Sequence, residues 1–81
     1  MPKLKRLRAK DIERIFYEFG FRFVSQNGSH MKFSRQGVIG KEILLVPKHR
    51  ALDLGTVQGV FKQAKKYIDE DKLFPYFYTE S

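Results

Sequence analysis

Between residues 9 and 19 the apolar side chains fall at Ile12, Ile15, Phe16 and Phe19, the i, i+3, i+4, i+7 spacing of a helix with one buried stripe. Lys10, Glu13, Arg14 and Glu18 are left for the solvent side. Gly20 ends the helix, because the position after a last helical turn favours a residue tolerant of positive φ. The start carries no good capping side chain and is the less defined boundary. The period then drops from 3.6 to 2. Residues 21–26 read as a strand, Asn27-Gly28 as a reversal, and residues 30–35 as the returning strand. A two-residue loop would pair Phe23 with Lys32 and mix apolar and polar residues on one face. A three-residue loop, Asn27-Gly28-Ser29, instead pairs Phe23 with Phe33 and Ser25 with Met31. Phe21, Phe23, Met31 and Phe33 then share one face, and Arg22, Val24, Gln26, His30 and Lys32 share the other. Burial favours this second register, since a slip of one residue turns every side chain over. It predicts a bulge at Gly28 or Ser29.

Residues 36–41 contain two glycines and read as a second turn, and the apolar run 43–46 as a third strand ended by Pro47. Residues 48–54 form a loop. Thr56 then caps a second helix with the stripe Val57, Val60, Phe61, Ala64, Tyr67 and Ile68, leaving Lys62, Gln63, Lys65 and Lys66 outside. The order α-β-β-β-α predicts an α+β fold, a three-stranded antiparallel sheet with both helices on one face. The other face stays open and displays His30 and Lys32. One domain is expected over residues 1–81, with a core at about 9–68 and an aromatic C-terminal extension at 72–81. The run Leu73-Phe74-Pro75-Tyr76-Phe77-Tyr78 is read as a strap over the core, the alternative being an exposed patch that docks on a partner.

Charge adds a functional direction. The 81 residues carry 16 Lys and Arg against 9 Asp and Glu, a net +7, as expected of a polyanion binder. The surplus is uneven. Residues 1–50 hold twelve basic and four acidic side chains, and residues 51–81 hold four and five. Cysteine is absent, which excludes disulfides, cysteine nucleophiles and thiolate metal sites. No apolar run is long enough to cross a bilayer, and the basic N-terminus lacks the hydrophobic stretch of a signal peptide. A cytoplasmic protein with no membrane contact is expected.

The two histidines, His30 and His49, lie on separate elements without paired carboxylates nearby, so neither a metal nor another cofactor is expected. The glycines match neither a Walker nor a dinucleotide fingerprint. Ser29 and His30 cannot act as a hydrolase pair through adjacency, since neighbours on a strand point to opposite faces. What remains is a histidine on a basic surface. Imidazole changes charge between about pH 5 and 8 and can give or take a proton at neutrality. RNA brings its own nucleophile, the 2′-hydroxyl, so holding the backbone and moving a proton suffice for cleavage. Taken alone, His30 reads first as an ordinary surface histidine.

A wider pattern resolves the choice. Gly20-Phe21 at the helix exit, Gly28-Ser29-His30 at the turn, Val46-Pro47-Lys48-His49, Leu52-Asp53-Leu54-Gly55-Thr56 and Gln63-Ala64 follow in order. Across residues 9–66 this resembles the HicA family, small toxins of bacterial type II toxin–antitoxin pairs. The resemblance implies a double-stranded-RNA-binding-domain-like fold, mRNA interferase activity and a HicB-type antitoxin that covers the catalytic histidine. That histidine is the one of the Gly-Ser-His motif, here His30, with Gly28 and Ser29 shaping the turn that presents it. Lys32, on the same strand face, is inferred to contact phosphate, and Arg22, Lys48 and His49 are further RNA-binding candidates. Two departures stand out: the aromatic tail runs beyond the family's second helix, and Met31 stands where a second histidine is common. The expected protein is an endoribonuclease acting on mRNA, monomeric when free. A non-catalytic RNA-binding module of the same fold is the alternative, although the lysine cluster of such modules is missing from residues 52–56. A third option is an interaction protein whose basic face binds an acidic partner.

Overall fold

Helix α1 (Ala9–Glu18) forms where the 3.6-residue pattern places it and sends Ala9, Ile12, Ile15 and Phe16 into the interior. The computed structural model describes residues 1–80. It runs β1 (Lys3–Leu4), α1, β2 (Arg22–Asn27), β3 (His30–Gln36), β4 (Lys41–Pro47), α2 (Leu54–Ala64), α3 (Glu70–Phe77) and β5 (Tyr78–Thr79). The start of α1 is secured from inside the helix. Asp11 reaches back to accept a hydrogen bond from the Arg8 backbone N–H at 2.8 Å. That bond holds the Asp11 carboxyl below its ordinary range. At the other end Gly20 takes φ +88°, the Gly20 N–H donates to Tyr17 O at 3.1 Å, and the Phe21 N–H donates to Phe16 O at 3.0 Å. This is a Schellman closure, and the Phe16 and Phe21 rings lie 5.8 Å apart as its hydrophobic contact.

The sheet order is β2-β3-β4, antiparallel throughout. The fold is therefore α+β with one three-stranded sheet, as the sequence predicts, and it is consistent with the double-stranded-RNA-binding-domain arrangement. Met31, Phe33, Leu44 and Val46 are buried in one cluster with the inner stripes of α1 and α2, so both helices cover the same face. Phe23 does pair with Phe33, their rings 5.9 Å apart, but it stands on an edge strand and stays 45% exposed.

The hairpin reaches that pairing by a different route from the one predicted. The loop is the two-residue Gly28-Ser29, with Asn27 opposite His30, and the irregularity lies between Phe23 and Ser25. Gly28 has φ +62° while Ser29 does not have positive φ, which fits a type II′ turn whose twist matches the strands. The surplus residue is Val24, not Gly28 or Ser29. Beyond this bulge Ser25 pairs with Lys32 and Gln26 with Met31, so Gln26 leaves the open face and Ser25 and Asn27 join it.

Three other boundaries move. β4 extends two residues earlier than the apolar run, because Lys41 and Glu42 continue the ladder opposite Gln36 and Arg35. Asp53, not Thr56, caps α2: its Oδ1 accepts from the Thr56 N–H at 2.7 Å, and this bond lowers the Asp53 pKa. The helix stops at Ala64, though Ile68 is buried beyond it. The aromatic tail folds as α3 and β5. Leu73 and Phe77 are fully buried, and Tyr78 and Thr79 pair with Leu4 and Lys3 in a second small sheet.

Two polar side chains lock the layers. Arg35 donates to Phe19 O at 2.7 Å and Tyr67 O at 2.9 Å, pairs with Glu42 at 2.7 Å, and stacks 4.5 Å from the Phe21 ring centre. It ties the end of α1, the segment after α2 and strand β4 together. Gln63, predicted to face solvent, turns to the free edge of β4. Its Oε1 accepts from Leu45 N–H at 2.9 Å and its Nε2 donates to Leu45 O at 3.0 Å. The carboxamide thus stands in for one residue of a fourth strand and occupies an otherwise unpaired edge position.

Gln63→Glu keeps the acceptor and replaces the donor by an oxygen facing the Leu45 carbonyl. We expect a loss of about 1 kcal/mol at pH 7, roughly 4–8 °C in Tm. The folded state raises the pKa of the new carboxyl, so the folded protein binds the proton more tightly than the unfolded chain. The deficit relative to the parent therefore shrinks below about pH 5 and grows as pH rises. Thermal melts of both proteins across pH 4–8 check this.

Candidate functional site

β3 is the central strand, and its alternation places Met31 and Phe33 beneath the sheet and His30, Lys32 and Ser34 on the open side. His30 is the first residue after the type II′ turn. It stands opposite Asn27 on β2 and Pro47 on β4, and Lys32 stands opposite Ser25 and Leu45. His30 is exposed and Lys32 half-buried. Ser25, Asn27, His30, Lys32, Ile43 and Leu45 line a shallow concavity of about 610 Å³ on this face. It contains an imidazole, an ammonium, a hydroxyl and a carboxamide, and no carboxylate. Among the described residues no side chain hydrogen-bonds to the His30 ring.

The predicted residues do not all gather here. His30 and Lys32 share the concavity, with Gly28 and Ser29 forming the turn before it. Lys48 follows Pro47, the ladder partner of His30, and its N–H donates to Ser29 O. Its side chain passes to the helix-covered side, where Nζ donates to Gln26 Oε1 at 3.2 Å. His49 lines the same side, in a groove with Arg8 and Lys10. Arg22 sits opposite Ser34, four residues or about 13 Å along β3 from His30. Its Nη1 donates to Phe21 O at 2.9 Å and its guanidinium lies 5.9 Å from the Tyr17 ring centre.

Ser25 and Asn27 are the site residues that sequence reasoning missed. They reach the open face only through the bulge at Val24, which no hydrophobic pattern marks. Ile43 and Leu45 were visible as alternate positions of an apolar run and form the wall beside Lys32. No group of three or more His, Cys, Asp or Glu side chains comes together among the described residues. Among them, too, no helix is long and apolar enough to cross a membrane.

A family model described as HicA toxin of bacterial toxin–antitoxin matches residues 9–65. The chain belongs to the HicA toxin family. The matched span opens on the first residue of α1 and closes one residue after α2, so the α-β-β-β-α unit is the HicA part of the chain. Helix α3 and the β1–β5 ribbon lie outside it. A search of curated proteins returns no match. As a HicA toxin this protein has an antitoxin as its partner in the general sense of such pairs.

The positive φ of Gly28 is a requirement of the turn that precedes His30. A Cβ there meets no atom within 4 Å, so the cost of Gly28→Ala is backbone conformation alone. We expect a loss of about 1–2 kcal/mol, read as a fall in Tm of roughly 5–15 °C. A melt unchanged within 1–2 °C would contradict the turn assignment.

Proposed function

We propose that this HicA toxin is an endoribonuclease, an mRNA interferase that cleaves single-stranded mRNA in the cytoplasm without a metal or other cofactor. The observation that carries the reading is an exposed imidazole beside Lys32 on an open sheet face lined by no carboxylate. A carboxylate-free, cationic surface admits a phosphodiester, and an imidazole is the side-chain type most used as a general acid or base.

In this reading the ribose 2′-hydroxyl attacks the adjacent phosphorus. His30 takes the hydroxyl proton as the P–O2′ bond forms, or gives a proton to the departing 5′ oxygen as the P–O5′ bond breaks. The products are a 2′,3′-cyclic phosphate and a 5′-hydroxyl, and no outside oxidant or nucleophile enters. Lys32 offsets the charge that builds on the phosphate oxygens. Ser25 and Asn27 supply neutral hydrogen-bonding groups beside it. Ile43 and Leu45 give the same face an apolar wall. That wall supports a protein cover, a HicB-type antitoxin laid over His30, and the net charge of +7 supports an acidic one.

His30→Ala should lower the cleavage rate of a labelled single-stranded RNA by about 10²–10⁴-fold, the usual contribution of one positioned acid or base. Because His30 is exposed, the Tm should stay within about 2 °C of the parent. Rates measured on purified protein, with growth arrest on expression as the cellular readout, provide the test. Cleavage by the variant at the parental rate would remove His30 from the chemistry. A parent that binds RNA and never cuts it would leave a binding module.

A further inference from the structure

The end of the sheet that presents His30 on its open face carries a second basic concavity on its covered face. This groove, about 470 Å³, lies between the first turns of α1 and the segment linking β4 to α2. Arg8 and Lys10 line one side and Lys48, His49 and Arg50 the other, with Met31 at the sheet. All five basic side chains belong to exposed residues. One acidic residue, Glu13, also lines it, and Glu13 accepts the Tyr17 hydroxyl at 2.7 Å, a bond that pushes the Tyr17 phenol up. Arg8 pairs with Asp11 at 3.4 Å. Among the described residues Lys10, Lys48 and Arg50 enter no ion pair, and Lys48 spends one donor on Gln26.

We propose that this groove is a second phosphate-binding site, which holds the backbone of a single-stranded RNA next to the segment cut at His30. The proposal rests on the ribonuclease reading and extends it to how the substrate is held. Three unpaired cations converging on one concavity repel one another; a run of phosphates neutralises them, and the RNA sheds its own condensed counterions as they bind. The two sites are also neighbours along the backbone. Pro47 is the ladder partner of His30, Lys48 is the next residue, and its N–H is bonded to Ser29 O. One residue of strand advances about 3.3 Å, so a chain leaving His30 meets Lys48 at the rim of the sheet.

This geometry selects the form of the RNA. The concavity at His30 and the groove lie on opposite faces at one end of the sheet, so a strand that fills both must curl around that end. A flexible single strand does this. An A-form duplex, recognised as a stiff shape along one surface, does not.

The decisive measurement is binding of a labelled 12-nucleotide single strand to the full chain carrying His30→Ala, which prevents cleavage, with and without Lys10→Ala and Arg50→Ala. Both added positions are exposed, and circular dichroism confirms that the fold is retained. We expect the double substitution to weaken binding about tenfold or more at 0.1 M salt. It should also flatten the slope of log K against log salt by about 1.4, or 0.7 for each lost phosphate contact. The matching duplex should bind more weakly than the single strand. An unchanged affinity and slope, or a duplex bound as well as the single strand, would overturn the proposal. So would a loss confined to the affinity for an acidic protein partner. Failure here with His30-dependent cleavage intact leaves the ribonuclease reading standing. A parent that does not cleave removes that reading while the binding data still judge the groove.

Discussion

Successive side chains of a β-strand must point to opposite faces, and on β3 this constraint ties the core to the site. Met31 and Phe33 are buried beneath the sheet, and it is their burial that holds His30 and Lys32 above it. Phe33 is fully buried, with its ring 5.6 Å from Phe16 and 6.1 Å from Tyr17. Removing such a ring costs about 3–5 kcal/mol, a large part of the stability of a domain this small. A slip by one residue would expose it and bury an imidazole and an ammonium instead. The neighbouring strand shows which demand prevails. β2 takes its surplus residue as a bulge at Val24, and Phe23 remains opposite Phe33.

Around this strand, polar groups close what the apolar core leaves open. Arg35 is a cation placed within the structure rather than on a binding surface. Its guanidinium satisfies the carbonyls of Phe19 and Tyr67 while pairing with Glu42 and stacking on Phe21. Removing Glu42 would leave the half-buried Arg35 charge without its ionic partner. Gln63 closes part of the β4 edge with its own amide. At the far side of the core Phe61 meets Phe77 and Tyr78 at 5.2 Å each, and Tyr78 stacks on Phe74 at 4.4 Å. The residues on either side of the HicA span thus add a helix and a short ribbon to the same hydrophobic cluster.

The distribution of charge takes on a shape once the fold is known. Basic residues that look alike in the sequence divide into distinct roles. Arg35 is structural, Arg22 folds over Tyr17 away from the turn, and Lys32 stands beside His30. Lys10, Lys48 and Arg50 meet on the covered face. Lys32 on the open face and Lys10, Lys48 and Arg50 on the covered face thus stand near the same end of the sheet.

Local periodicity and residue chemistry carried most of the architecture. The buried stripes of α1 and α2, the three strands, the stop at Gly20 and the outward parity of His30 and Lys32 are all set by neighbours within a few residues. The HicA likeness of residues 9–66 was legible for the same reason, because its motifs are local strings at turns and helix ends. What needed the folded chain were features that depend on partners distant in sequence. The position of the bulge, and with it the arrival of Ser25 and Asn27 beside His30, depends on how the II′ turn and the Phe23–Phe33 pair are satisfied together. The roles of Arg35, Gln63 and the α3–β5 tail depend on carbonyls, an edge and a core surface that exist only after the layers have packed. A pattern along the chain specifies which face a residue takes, because that is a matter of period. Which groups meet across the faces is a matter of register and packing, and those are decided by the whole core at once.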